Sequence, residues 1–142
     1  MSEYILGADA PPVVYGEKDL DAPFWEAARN HELKIQRCQD CGKFQWGPNV
    51  ICHHCHSFNL GFDKVSPTGT IYSWERVWHP HMPALADKVP YVILVVALDD
   101  DPQIRLVGNL VGDQQAPVPI GAKVEAVFED HPDYTLIQWK LV

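Results

Sequence analysis

The sequence has few cations and no cluster of them. Lys and Arg together number 11 against 19 acids, for a formal net charge of −8. A general nucleic-acid binder neutralises phosphates with grouped Lys and Arg, and the nearest thing to a basic group here is Lys34 with Arg37. Nucleic acid is therefore disfavoured as a partner. Long apolar runs are also missing. The longest, Tyr91 to Leu98, is far short of the ~20 residues a membrane-spanning helix needs, so no membrane role is expected. The opening MSEYILGADAPP has neither a basic start nor a long apolar stretch. It does not read as a secretion signal, and a cytoplasmic location is the expectation. Phosphate-loop and dinucleotide fingerprints are absent, and Ser57, Ser66 and Ser73 sit in no nucleophile elbow. No catalytic residue is assigned.

What is present begins with turn formers. Twelve prolines and nine glycines imply many turns and little long helix. Residues 1–20 read as an extended arm. Asp21 is placed to cap a helix with Pro23 in its first turn. Phe24, Ala27, Ala28 and His31 share one helical face, and the helix is expected to end near His31 or Glu32. From Leu33 the period falls to two, giving a strand into Cys38. Leu60 to Lys64 suggests another, closed by a turn at Ser66-Pro67-Thr68-Gly69. Thr70 to Trp78 reads as a strand with Ile71, Ser73, Glu75 and Val77 on one side and Tyr72, Trp74, Arg76 and Trp78 on the other. A Pro-rich loop spans 79–90. Tyr91 to Leu98 has the continuous apolar character of a central strand. Ile104 to Val111 pairs with it across an acidic turn. Val124 to Phe128 and Tyr134 to Leu141 form a last hairpin. Five strands in about 70 residues fit an OB-type barrel, with an open sandwich as the alternative. The expected fold is mainly β: an arm and helix (1–32), a metal-binding ribbon (33–66) and a five-stranded barrel (67–142).

All four cysteines fall in one stretch, CQDCGKFQWGPNVICHHC, spaced C-x2-C-x10-C-x2-C. Each C-x2-C makes a turn that points backbone N–H groups at sulfur, with Gly42 as the flexible position after the first. Two such turns present Cys38, Cys41, Cys52 and Cys55 as a tetrahedron, the arrangement of a closed structural zinc site. Disulfides fit a cytosolic chain poorly. A thioredoxin-like redox motif explains only half of the pattern. A rubredoxin-like iron site usually separates its pairs further. His53, His54 and His56 crowd the second pair, as exposed residues, as hydrogen-bond donors to the site, or in place of a cysteine. Four thiolates leave no position for substrate water, which argues against zinc catalysis.

Elsewhere the signals are weaker. Asp99-Asp100-Asp101 reads as a solvated turn. His79 and His81 flank Pro80 as a polar loop or as acid–base groups. Trp74 and Trp78, with Tyr72 and Arg76, read as core or as a partner surface. Large aromatics serve both roles: the chain has five Trp, five Tyr and five Phe.

In order, the motifs are a helix with Phe24-Trp25, the strand into CQDCG, Pro48, CHHC, TGTIYSW, the long apolar strand, LVGNLVG and IGAKVEAVF. From about residue 22 onward this order resembles the acyl-CoA-associated zinc-ribbon/OB-fold family, catalogued as domain of unknown function thirty-five. The resemblance implies an N-terminal helical segment, a rubredoxin-like zinc ribbon with structural zinc on Cys38, Cys41, Cys52 and Cys55, and a C-terminal OB barrel. It implies association with a thiolase-superfamily enzyme or a MaoC-type enoyl-CoA hydratase. The implied settings are acyl transfer, condensation, or retro-aldol carbon–carbon cleavage such as that of steroid side-chain CoA thioesters. The reacting groups would belong to the partner, and this chain would stabilise it, bridge its subunits or help form the CoA channel. The stretch VWHPHMPALADKVP has fewer basic groups than many members carry. Trp74, Arg76, Trp78, His79, His81 and Lys88 are the candidates for a partner or acyl-CoA surface. The competing expectation is a single-stranded nucleic-acid-binding module, and after it an autonomous enzyme or electron carrier.

Overall fold

The computed structural model describes residues 3–142; residues 1–2 of the expected arm lie outside the described residues. One helix, α1 (Ala22–Arg29), is followed by eight strands: β1 (Leu33–Cys38), β2 (Phe44–Gln45), β3 (Leu60–Val65), β4 (Thr68–Val77), β5 (Tyr91–Leu98), β6 (Arg105–Asn109), β7 (Lys123–Asp130) and β8 (Thr135–Leu141). They form a three-stranded sheet ordered β2-β1-β3 and a five-stranded sheet ordered β6-β5-β4-β7-β8. The larger sheet curls until Leu110 meets Trp139 in a parallel bridge. That contact joins its two outer strands into a small barrel.

Asp21 precedes α1 but makes no capping bond. Its carboxylate instead accepts from the Trp25 indole N–H at 3.0 Å. The helix also ends earlier than its apolar period suggests. His31 adopts φ +57°, with its N–H on the Ala28 carbonyl and that of Glu32 on Ala27, both at 2.9 Å. This is a Schellman stop with His at the left-handed position usually held by Gly. His31 is exposed, so it is not part of the buried face. Its ring stacks on Phe128 and meets the Asp130 carboxylate at 2.7 Å. Arg29 adds bonds to the carbonyls of His131, Pro132 and Tyr134. The helix is thus pinned to the turn between β7 and β8.

The alternation expected along β4 breaks once. Pairing with β5 runs Ile71 to Val96 and then Ser73 to Val95, so Tyr72 is an extra residue. A bulge flips the faces beyond it. Trp74 and Arg76 therefore share the inner face with Ile71, opposite Leu94 and Val92. The expected turn at 66–69 is also shorter, because Thr68 and Gly69 already belong to β4.

Phe24, Leu33, Ile35 and Val65 join Ile71, Val92, Leu94, Val124 and Trp139 in one buried cluster. The small sheet and the barrel thus share a core. The N-terminal arm is not free either. Ile5 and Leu6 cover Val77, Leu85 and Tyr91, and the Lys88 ammonium donates to the Leu6 carbonyl at 3.3 Å.

Candidate functional site

β1 delivers Cys38 to the first knuckle. Its N–H donates to the Lys43 carbonyl (3.0 Å), and the Gly42 N–H returns to the Cys38 carbonyl (2.9 Å). Gly42 has φ +77°, a conformation that favours glycine. The second knuckle repeats this. The Cys52 N–H bonds the Ser57 carbonyl at 2.8 Å, and the His56 N–H bonds the Cys52 carbonyl at 3.1 Å. Here His56 takes the left-handed place, at φ +63°. Backbone N–H groups of Cys41 and His54 point at the sulfurs of Cys38 and Cys52, each at 3.4 Å.

The knuckles face each other. Cys38 Sγ lies 3.5 Å from Cys55 Sγ, and Cys41 Sγ 3.7 Å from Cys52 Sγ. All four sulfurs fall within 4.8 Å of one another. A tetrahedral ion with metal–sulfur bonds of about 2.3 Å needs sulfur–sulfur edges of roughly 3.8 Å, so the cage has the size for one ion. Cys38 and Cys52 are buried, while Cys41 and Cys55 face solvent. Amide donors from Cys41 and Asp40 pull the Cys38 thiol down to about 6, against its burial. Cys38 thus favours thiolate, the form a metal binds. His53, His54 and His56 are exposed and make no hydrogen bond through their rings within the described chain; the four-sulfur cluster does not include them.

Two supports escaped the sequence reading. Asp40 accepts from the Ser57 hydroxyl and from Asn59 Nδ2 (3.1 Å), tying one knuckle to the other. Those two donors hold its carboxyl below the usual carboxylate range. The other is a buried amide pair. Gln45 Nε2 donates to Gln36 Oε1 at 2.6 Å. Gln36 also exchanges both its bonds with the backbone of Asn49, and Gln45 Oε1 accepts the His53 N–H at 2.9 Å. The ten-residue link between the knuckles is thereby held, beyond β2, by side chains rather than by strand pairing. Nothing in the residue type Gln marks it as a buried support, though both lie in the alternating strands that flank the first knuckle. Gln36→Leu removes one bond of the buried Gln45 amide and both bonds to the Asn49 backbone. A loss of about 1–3 kcal/mol is expected, read by denaturant unfolding at constant metal.

The aromatic and basic candidates do not assemble into one surface. Arg76 lies over the Trp74 ring at 5.2 Å and donates to the carbonyls of Gln114 (2.9 Å) and Ala116 (2.6 Å). It fastens the loop between β6 and β7. Lys88 is spent on the N-terminal arm, with Asp9 as its second partner at 3.3 Å. Trp78 is 64% exposed, and beside it His79 and His81 are exposed, their rings 6.0 Å apart.

Comparison with known proteins agrees with this architecture. Residues 25–61 match the family model "ChsH2, rubredoxin-like zinc ribbon domain", and residues 63–129 match "ChsH2, C-terminal OB-fold domain". Among curated proteins, a probable enoyl-CoA hydratase alpha subunit of Thermomonospora curvata is 38% identical over 118 residues. The 3-oxo-4,17-pregnadiene-20-carboxyl-CoA hydratase alpha subunit of Mycobacterium tuberculosis is 33% identical over 117. Each alignment takes in 82% of this chain, but the chain spans only 36% of either relative. A DUF35 domain-containing scaffold protein of Methanocaldococcus jannaschii is 32% identical over 65% of this chain and 64% of its own length. The solved structure named Ltp2-ChsH2(DUF35) aldolase contains a chain that superposes with a TM-score of 0.78 at 33% identity, covering 92% of this chain and 98% of that one. A DUF35 protein of unknown function from Sulfolobus solfataricus shares the fold (TM-score 0.63, 14% identity, 88% and 87% covered). With two knuckles, a shared core and a closed barrel that match member chains over nearly their full length, this chain belongs to the DUF35 family of zinc-ribbon/OB-fold proteins.

Proposed function

We propose that this chain is a non-catalytic subunit of an enzyme that acts on acyl-CoA thioesters, holding one structural zinc ion on Cys38, Cys41, Cys52 and Cys55. The observation that carries the reading is the 33% identity over nearly the whole length of a DUF35 chain in a structure named as an aldolase. Relatives named as hydratase alpha subunits agree on CoA thioester chemistry. The partner that fits best is a thiolase-superfamily enzyme catalysing retro-aldol carbon–carbon cleavage, with a MaoC-type hydratase next. The zinc crosslinks the two knuckles. Four sulfurs fill a tetrahedron and leave no site for a reacting ligand, so proton transfer and nucleophilic attack fall to the partner.

Charge supports the same choice over a nucleic-acid role. Arg29, Arg37, Arg76 and Arg105 are all engaged within the chain, on carbonyls, on Asp63 or on the Tyr72 ring. They form no track for a phosphate backbone.

Co-expression with a thiolase-superfamily or MaoC-type enzyme from the same organism tests the reading. The partner alone should be unstable or slow, and addition of this chain should raise its turnover of an acyl-CoA at least about tenfold, a shift of about 1.4 kcal/mol in barrier. The isolated chain should turn over nothing. An enzyme indifferent to this chain, or acyl-CoA turnover by the chain alone, contradicts it.

A further inference from the structure

β6 is the outermost strand of the barrel sheet, and its pairing is one-sided. The bonds from Leu98 N–H to Ile104 C=O and from Leu110 N–H to Val92 C=O set the parity of its ladder with β5. Residues 104, 106, 108 and 110 direct their backbone groups at β5. Arg105, Val107 and Asn109 direct theirs away from it. The Asn109 N–H is met by Gln138 Oε1 at 2.7 Å. Among the described residues, the N–H and C=O groups of Arg105 and Val107 have no protein partner.

The same parity applies across the gap. The bonds from His131 N–H to Tyr134 C=O and from Val142 N–H to Lys123 C=O leave Thr135, Ile137 and Trp139 pointing their backbone groups off the outer edge of β8. β6 and β8 meet at Leu110 and Trp139, where the Val111 N–H bonds the Trp139 carbonyl at 2.7 Å. They stay close as far as Gly108, where an added β-carbon would lie 2.8 Å from the Ile137 carbonyl oxygen, and no ladder joins them beyond it. A cavity of about 430 Å³ lies there, bounded by the two strand edges and by Phe24, Trp25 and Trp46. The Arg105 guanidinium is parked 3.8 Å from the Tyr72 ring centre, on the outer face, and does not pair with the edge. Val107 is 67% exposed.

Unpaired donors and acceptors at every second residue are the template for strand addition. An aromatic wall beside them suits an apolar side chain of the incoming segment. We infer that the β6 edge is the docking site for an extended segment of the partner enzyme, which adds as a strand along Arg105–Val107 and sets an apolar side chain against Phe24, Trp25 and Trp46. This deepens the subunit reading above and rests on it. An extended backbone supplies a carbonyl and an N–H at the ~6.8 Å two-residue repeat of a strand, which matches the spacing from Arg105 to Val107. A small molecule does not offer that repeat. In the hydratase subunits about two thirds of the polypeptide lies outside the region this chain matches, so that region is accompanied there by further chain.

Amide hydrogen exchange, followed residue by residue on the full-length chain alone and in complex with the co-expressed partner enzyme, tests the inference. In the free chain the amides of Arg105 and Val107 exchange fast while those of Leu106 and Gly108 are slow. In the complex both fast amides should slow at least 100-fold. Val107→Pro removes a donor that faces off the edge and no bond of the ladder, as proline requires on an edge strand. It should weaken partner binding at least 50-fold, whereas Ile120→Glu, on an exposed loop, should not. If that variant fails to fold, the exchange result on the unaltered chain stands alone. A complex that forms with Arg105 and Val107 still exchanging as in the free chain overturns the docking site and spares the subunit reading. Protection that instead accompanies dimerisation of this chain overturns the occupant. A partner enzyme that forms no complex overturns both.

Discussion

Replacing Cys52 by Ser is expected to abolish metal retention and unfold the ribbon. Cys52 is fully buried, with two backbone amides organised around it. A serine hydroxyl does not ionise in the neutral range, so a thiolate ligand is replaced by a buried neutral group. In isolated zinc-finger peptides a structural zinc contributes about 10–16 kcal/mol, which matches or exceeds the ~5–15 kcal/mol net stability of a whole domain. The loss does not stay local. β1 carries Cys38 at one end and places Leu33 and Ile35 in the cluster shared with the barrel. The melting temperature should drop by roughly 15 °C or more, and chelator-treated wild type should match the variant. Calorimetry paired with metal analysis checks this. A Cys52→Ser chain that keeps one metal ion and its melting temperature refutes it.

The second large effect is expected at Gly69, far from the metal. Gly69 lies in β4 between Leu98 of β5 and Val124 of β7 and is buried. A β-carbon there would collide with the Ala97 carbonyl and sit 2.6 Å from Val96 Cγ1. The first obstacle is backbone, which rotamer changes do not relieve. Gly69→Ala is therefore expected to exceed the usual 1–3 kcal/mol of overpacking and to lower the melting temperature by about 10 °C or more. Retained zinc with a destabilised barrel would separate this defect from the metal site. A melting curve that overlays the wild type would show that the strands are less tightly apposed than described.

The cysteine spacing made the metal cage legible because the C-x2-C turn carries its own geometry. The period-two strands were legible for a similar local reason. Contacts distant in sequence were not. His56 stands in the left-handed place that Gly42 holds in the other knuckle, and a histidine does not announce that backbone. Arg76 looked like a surface cation, but the bulge at Tyr72 turns it inward onto the carbonyls of a loop some 40 residues on. Gln36 reads as a polar residue of the strand into Cys38, and Gln45 carries no signal at all, until the link between knuckles wraps over them. The arm at residues 1–20, read only as extended, packs Ile5 and Leu6 onto the barrel because Val77, Leu85 and Tyr91 would otherwise remain uncovered. In each case long-range burial decided what a local pattern left open.

X-ray absorption at the zinc edge, on protein purified without added metal, reaches the core of the account most directly. One zinc per chain with four sulfur neighbours at about 2.3 Å is the predicted result. Iron in place of zinc, a nitrogen or oxygen atom among the four neighbours, or protein that holds no metal would contradict a closed ribbon that leaves the chemistry to its partner.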